Sequence, residues 1–558
     1  MPIIPLCSTI FSKMNKRPLD PGRKRHIAGH PINARYMRER WSNFLTQTKD
    51  GMMMIEGVRV DDIVKKYGTP LYVMVESEVR DRLRRFKKTF GPGISLQYAV
   101  KCNSNLEILR IIREEGFELD CSSVGELILG LLADFKPRQL VLTNLFKSEQ
   151  DLYFAAKMGI QGITADSIEE IEHIAATAKK LKKHIRMLIR VNPMITVGKY
   201  STRGNKYGIP IGYVDRAVEL AVKSPYIDFD GFHFFGGYVY ETRVFKVAAR
   251  AMVKLIKRCN DRGIRVRRLD LGGGFPAAIG PEVAFPIEDM KGFPAYFQRL
   301  LDENNLPPLD LIFEPGKSIV LNACVGLMKV IARKRLGAKK RMVNVDGSSY
   351  NFVPDTLVQG ALKIEDGGLR YDVLPASKMN APRIHTVTIG GNTCDCWDLM
   401  ARDVELPKMR VNDTVAIMDV GGYAQVLSNN FNTIKRASMV MVRPDGSIKM
   451  IRRRDRFSEM FAPELDVLKM AGPNELEKYN NLYRVNIDEI WRGGGMTAFE
   501  RKKKKNGNGR ATRAFEDAEE QLNAGEKKKN MAEETFEKVA SKNVRRLRKS
   551  ATKALSKR

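Results

Sequence analysis

The stretch "SLQYAVKCNSNLEILRIIREEGFELDCSSVGELILGLLADF", residues 95–135, decides the fold. "SLQYAV" and "GFELD" are short strand-forming runs, and "SVGELILGLLADF" carries apolar residues at helical spacing. Strand, helix, strand, helix in forty residues is the rhythm of a parallel sheet covered by helices. The first strand ends on Lys101, and an ammonium at the end of a buried strand is costly unless something uses it.

The rhythm continues outward from about residue 71 to 320. "LYVMV", "QLVLTN", "QGITAD", "IRMLIRVN", "FDGFHFF", "RRLDLGGG" and "DLIFEPG" read as further strands, with helical patterns such as "SIEEIEHIAATAKKLKK" between them. About eight such units in some 250 residues predict a (β/α)8 TIM-type barrel rather than an open doubly wound sheet. From about 325 to 455 the pattern changes to alternating segments with Asp-Gly turns, such as "ASMVMVRPDGSIKMIRRR". This predicts a mainly antiparallel β domain. The expected organisation is a basic extension at 1–50, a β domain from 51–70 and 325–460, and the barrel at 71–324. A connecting segment at 461–500 and a basic helical or disordered C-terminal tail at 501–558 follow.

The 558 residues carry a net charge of +30, of which +7 lies in residues 1–50 and +11 in 501–558. Such ends fit solvated tails, or a contact with nucleic acid or an acidic membrane. Seven cysteines at irregular positions point to free thiols in a reducing compartment, hence a cytoplasmic protein. The acid-poor start "MPIIPLCSTIFSKMNKRP" is also compatible with an organelle-targeting segment. No run of 18 apolar residues is present to cross a membrane.

In a barrel, chemistry sits at the C-terminal ends of the strands. Lys101, Asp120, His233, the glycines 272–274, Glu314 and Gly316 all fall there. Two glycine loops after the last strands expose backbone N–H groups to an anion. A lysine kept partly neutral by desolvation can form a Schiff base. Lysine, phosphate cradle and acid together are what pyridoxal phosphate requires. The alternative is an ordinary ion pair between Lys101 and Asp120.

Beyond single residues, about 400 residues resemble the barrel-type pyridoxal-phosphate decarboxylases of ornithine and diaminopimelate, most of all the diaminopimelate group. The resemblance rests on ordered motifs: "IEGVRVDDIVKKYGTPLYVM", "YAVKCNSN", "ELDCSSVGEL", "TNLFKSEQDL", "RVNP", "NKYGI", "LDLGGGFP", "EPGKSIV", "GGNTCDCWD" and "DVGGYAQVLSNNFN". It implies that Lys101 carries pyridoxal 5'-phosphate, with Asp120 and His233 beside it and Glu314 at the ring nitrogen. Gly237, Gly274, Gly316 and Tyr423 would hold the phosphate. Cys394 would return a proton to the substrate, and Lys317, Asp395 and Tyr423 would contact the amino-acid substrate. A homodimer with shared sites is also implied, and no metal.

Departures from the family pattern concentrate around the substrate. Phe235 stands where a histidine usually stacks on the cofactor, and Tyr238 replaces a serine. "EPGK" replaces "EPGR", so Lys317 lacks an arginine's bidentate fork. The family's arginine- and tyrosine-bearing substrate segment reads Val353-Pro354-Asp355-Thr356-Leu357, and "CESGD" reads Cys394-Asp395-Cys396-Trp397-Asp398. The expected activity is conversion of meso-diaminopimelate to L-lysine and carbon dioxide. The alternatives are the same reaction on an ornithine/polyamine or secondary-metabolite precursor, or a non-catalytic homologue acting as a binding partner.

Overall fold

The computed structural model describes residues 41, 43–239, 241–277, 285–337, 340–354 and 371–470. Most of the N-terminal extension, the C-terminal tail and Asp355–Leu357 lie outside the described residues. Two compact units divide at residue 455/456. The second, as described, consists of the helices Phe457–Met460 and Ala462–Met470. The first holds both expected folds.

The strands used below are β1 Leu71–Val75, β2 Ile94–Ala99, β3 Glu118–Cys121, β4 Leu140–Thr143, β5 Gly162–Ala165, β6 Ile185–Asn192, β7 Ile227–His233, β8 Arg268–Asp270 and β9 Asp310–Phe313. Strands β2 to β9 form a closed ring in which every pairing is parallel, including β9 on β2 through Leu311 opposite Ile94. Parallel neighbours need crossovers, and helices supply them. Four crossovers start on a side chain that caps the helix: Asn105, Ser123, Ser148 and Ser167 each accept a backbone N–H of the first turn. These caps end each strand sharply, so residues such as Lys101 and Asp120 stand at the mouth.

The second sheet is built from β1 with β10 Cys324–Arg335, β11 Arg341–Val345, β12 His385–Gly390, β13 Leu399–Leu406, β14 Thr414–Ile417, β15 Ser438–Val442 and β16 Ile448–Arg452. It is mainly antiparallel; the parallel pairs are β1 with β15 and β11 with β12.

"LYVMV", expected as a barrel strand, is instead β1, a central strand of this sheet between β10 and β15. The barrel therefore begins beyond residue 75 rather than at 71. Every residue of β1 is buried. Tyr72 and Met74 point into the core shared with the barrel, while Leu71, Val73 and Val75 face a separate core. A strand covered on both faces reads as a continuous apolar run, just as a barrel strand does. The expected N-terminal boundary at 50 also moves, because Trp41, Phe44 and Leu45 are buried in that second core. At the other end, the unit boundary at 455/456 precedes the expected 460.

Burial on both faces has a measurable consequence. Val73→Ala and Met74→Ala, on opposite faces of β1, are expected to destabilise the protein by comparable amounts, on the order of 2 kcal/mol each. Urea unfolding of the two variants checks this; a tolerated substitution on either face would place that face toward solvent.

Candidate active site at the barrel mouth

Lys101 follows β2 in a single helical turn, Val100–Cys102. Its Nζ lies 2.5 Å from Asp120 Oδ2 at the end of β3. Burial alone would lower its pKa, but Asp120 and Glu314 outweigh burial and raise it above the usual lysine value. The sequence-based expectation of a partly neutral lysine is thus corrected for the protein without ligand. Two buried carboxylates keep the ammonium charged.

Glu314 sits just beyond β9 and is buried. Burial pushes its carboxyl up, yet His233 and then Lys101 and Arg190 prevail and hold it at about 2. Burial and the nearby Glu314 charge push Asp120 the other way, upward, against the pull of Lys101. The carboxyl of Asp270, at the end of β8, goes well above the carboxylate range for the same reasons.

His233 Nε2 faces Glu314 Oε1 at 3.3 Å. Its Nδ1 accepts a hydrogen bond from Arg190 Nε at 3.3 Å, and Arg190 is anchored to Asp166 at 2.8 Å. An arginine can only donate, so a neutral His233 carries its hydrogen on Nε2, toward Glu314. Arg190, Asp166 and Asp270 were not singled out from sequence. Arg190 lay inside the quoted "RVNP", but nothing in that motif reveals a histidine 43 residues away.

The glycine loops pack backbone on backbone. A Cβ at Gly273 would lie 2.4 Å from the Glu314 carbonyl oxygen, and one at Gly274 would lie 2.3 Å from that of Gly237. Phe275 anchors this loop below, stacked on Phe245 with ring centroids 4.9 Å apart and edge-on to Phe86 at 5.2 Å. Gly316 packs against Ala99 and Cys102, on either side of Lys101. The Tyr423 N–H donates to the Cys102 carbonyl at 2.9 Å, and burial raises the Tyr423 hydroxyl pKa, leaving a neutral donor. Phe235 is half-buried, edge-on to Tyr207 at 5.2 Å.

Lys101, Asp120, His233, Gly237, Gly274, Glu314, Gly316 and Tyr423 are therefore brought together. Lys317 opens the short helix after Gly316, its Nζ 5.5 Å from the centre of the Tyr238 ring. Two departures from the family pattern thus meet each other.

Cys394 and Asp395 form a second group. Both oxygens of buried Asp398 are used to pin their loop: Oδ1 accepts from Ser349 N and Oγ, and Oδ2 from Thr393 N and Oγ1. The Tyr350 hydroxyl donates to Asp395 Oδ2 at 2.6 Å, which lowers the Asp395 pKa. Among the described residues no hydrogen bond joins Cys394 or Asp395 directly to Lys101.

Asp120 Oδ1 is buried without a hydrogen-bond partner, whereas Glu314 Oε1 faces only His233 Nε2, at 3.3 Å. Buried carboxylate oxygens left open are costly and call for a polar ligand. His233, Asp270 and Glu314 also bring three ligand atoms within 4.8 Å of one another. The upward push that burial and Glu314 give Asp270 favours a shared proton there over a cation. An amine, an ionised acid and two glycine loops at one barrel mouth fit pyridoxal phosphate. They define the class of barrel enzymes that work through that cofactor.

Comparison with known proteins agrees. Residues 76–321 match the family model described as "Pyridoxal-dependent decarboxylase, pyridoxal binding domain". The diaminopimelate decarboxylase of Archaeoglobus fulgidus is 32% identical over 421 residues, covering 74% of this chain and 97% of that protein. That of Aquifex aeolicus is 28% identical over 426 residues, covering 75% and 97%. The crystal structure of diaminopimelate decarboxylase from M. jannaschii in co-complex with L-lysine superimposes with a TM-score of 0.69 at 25% identity, over 75% of this chain and 97% of that one. The chain belongs to the diaminopimelate decarboxylase family of pyridoxal-phosphate-dependent enzymes.

The depressed Glu314 pKa makes a pH prediction with a definite sign. A lowered carboxyl stabilises fully above its unfolded value, near 4.3, and that contribution disappears as pH falls toward about 2. Without added cofactor, the wild type should exceed Glu314→Gln in stability by on the order of 2 kcal/mol at pH 6, with the difference closing by pH 2 to 3. Urea titrations across that range decide it; a gap independent of pH would refute the assignment.

Proposed function

We propose that this enzyme converts meso-diaminopimelate to L-lysine and carbon dioxide, with Lys101 as the cofactor anchor. The observation that carries the site reading is the pair of buried carboxylates, Asp120 and Glu314, that act on Lys101, with Asp120 Oδ1 left open. The substrate reading is supported by the curated relatives, named diaminopimelate decarboxylases, and by the neighbouring structure holding L-lysine.

Pyridoxal phosphate, when bound, supplies the electron sink into which the breaking carbon–carboxylate bond discharges. This chain's residues do the rest. Lys101 would hold the cofactor through its amine. Glu314, kept ionised beside His233, would keep a proton on the cofactor's pyridine nitrogen. Asp120 balances the Lys101 charge and positions its Nζ. Gly237, Gly274, Gly316 and the Tyr423 hydroxyl would hold the phosphate, and Phe235 would pack against the ring. Lys317 and Asp395 take the distal carboxylate and amine of the substrate. Cys394 donates the proton that replaces carbon dioxide.

We further infer a homodimer with shared sites, and a cytoplasmic location. No helix among the described residues is long and apolar enough to cross a membrane. A second reading, the same decarboxylation on another amino acid, is favoured by Lys317 standing where an arginine fork is expected and by Trp397, 38% exposed beside Asp395. The tail that would carry a contact with nucleic acid or an acidic membrane lies outside the described residues.

Carbon dioxide release from meso-diaminopimelate, ornithine, lysine and arginine separates the two readings. The first predicts turnover of diaminopimelate alone and none by Lys101→Ala; preference for another member of the panel selects the second. Lys317→Arg should lower KM for diaminopimelate about tenfold by restoring a bidentate contact. An unchanged KM would remove Lys317 from the substrate site.

A further inference from the structure

Cys394 is exposed, and its loop is held by Asp398, yet one side chain outside the loop grips the cysteine itself. Asn432 Oδ1 accepts the Cys394 N–H at 3.0 Å, and Asn432 Nδ2 donates to Cys394 Sγ at 3.2 Å. The backbone N–H can only donate, so Oδ1 must face it and Nδ2 must face the sulfur. The amide orientation is therefore fixed by chemistry.

Asn432 itself is held in place. It adopts the left-handed conformation, φ 55 and ψ 22, which asparagine tolerates better than most residues. The preceding Phe431 stacks on Tyr350 with centroids 4.5 Å apart and an interplanar angle of 14°. Tyr350 in turn donates to Asp395 of the cysteine loop. Clamp and loop are cross-linked through two independent contacts.

We propose that Asn432 is a positioning residue that fixes Cys394 Sγ as a hydrogen-bond acceptor and stabilises the thiolate left when the thiol gives up its proton. The inference rests on Cys394 being the proton donor proposed above. A sulfur accepting from Nδ2 leaves its own S–H free to point at the substrate. In the transfer the S–H bond breaks, its electron pair stays on Sγ, and the proton goes to the α-carbon that lost carbon dioxide. Solvent later returns a proton to the exposed sulfur.

The titratable groups around Sγ are Asp395, Cys396 and Asp398 of its own loop and Tyr350 of the helix Ser349–Phe352. The two aspartates oppose a thiolate. Asp398 spends both oxygens on Ser349 and Thr393, and Asp395 spends its own on Tyr350 and the Trp397 N–H. Asn432 supplies the neutral donor that offsets them. A hydrogen bond donated to an ionised sulfur is charge-assisted, and removing the donor withdraws it from the thiolate.

The test is the pH dependence of Cys394 alkylation by iodoacetamide in the full-length, cofactor-loaded protein. Modification is read by mass spectrometry on the peptide carrying Cys394, for wild type, Asn432→Ala and Asn432→Asp. Asn432→Asp keeps the acceptor for the Cys394 N–H but adds a negative charge beside the sulfur, so Asn432→Ala, which removes the donor without adding charge, is the deciding variant. The expected result is a midpoint about one pH unit higher in Asn432→Asp, with alkylation at pH 7 about tenfold slower, and an intermediate shift in Asn432→Ala. The midpoint, unlike the rate, does not depend on how open the loop is. A midpoint in Asn432→Ala equal to or below that of the wild type overturns the proposal, whatever the added charge does in Asn432→Asp. Carbon dioxide release by the wild type judges the decarboxylase reading separately, since its failure would leave the midpoints unaffected.

Discussion

The barrel mouth is organised by one unequal electrostatic arrangement, a single ammonium among buried carboxylates. Lys101 lies against Asp120, with Glu314 close enough to influence both. Burying charge is tolerable only when it is paired and hydrogen-bonded, and here the pairing is deliberately incomplete. Asp120 retains an open oxygen, Oδ1. That unsatisfied polarity lies beside Lys101, where a polar ligand would be held. Arg190 and His233 set the balance, because their positive ends keep the proton off Glu314 while Asp270 is free to carry one.

Much of the architecture follows from this demand for position. Closing eight parallel strands places residues far apart in sequence within hydrogen-bond reach, and the capped helix starts prevent strand ends from drifting. The glycine loops bring the backbones of residues 237, 274 and 314 together without intervening side chains. The second sheet contributes Tyr423 by a backbone bond to Cys102, next to the lysine. The groups around Lys101 and Glu314 rest mostly on barrel strands, whereas Cys394 and Asp395 rest on the loops around residues 349, 395 and 432.

Those two supports also explain what could be read from sequence. Lys101, Asp120, Glu314 and the glycines were legible because strand ends, charge and glycine runs are local signals. β1 was assigned to the wrong sheet because a run buried on both faces looks alike in a barrel and in a sandwiched sheet. The charge state of Lys101 was misjudged because desolvation can be inferred from an apolar strand, whereas the compensating acids arrive from strands 19 and 213 residues further on. Arg190 and Asn432 escaped notice for a related reason: each acts on a partner supplied only by tertiary folding. The departures at Phe235, Tyr238 and Lys317 were visible, but the meeting of Lys317 with Tyr238 was not.

The central claim is that Lys101, among many lysines, is the one that carries the cofactor. Borohydride reduction of the protein loaded with pyridoxal phosphate, followed by peptide mass spectrometry, tests it most directly. One pyridoxyl group per chain is expected, on the peptide containing Lys101. Its attachment to another lysine, or to none, would contradict the account.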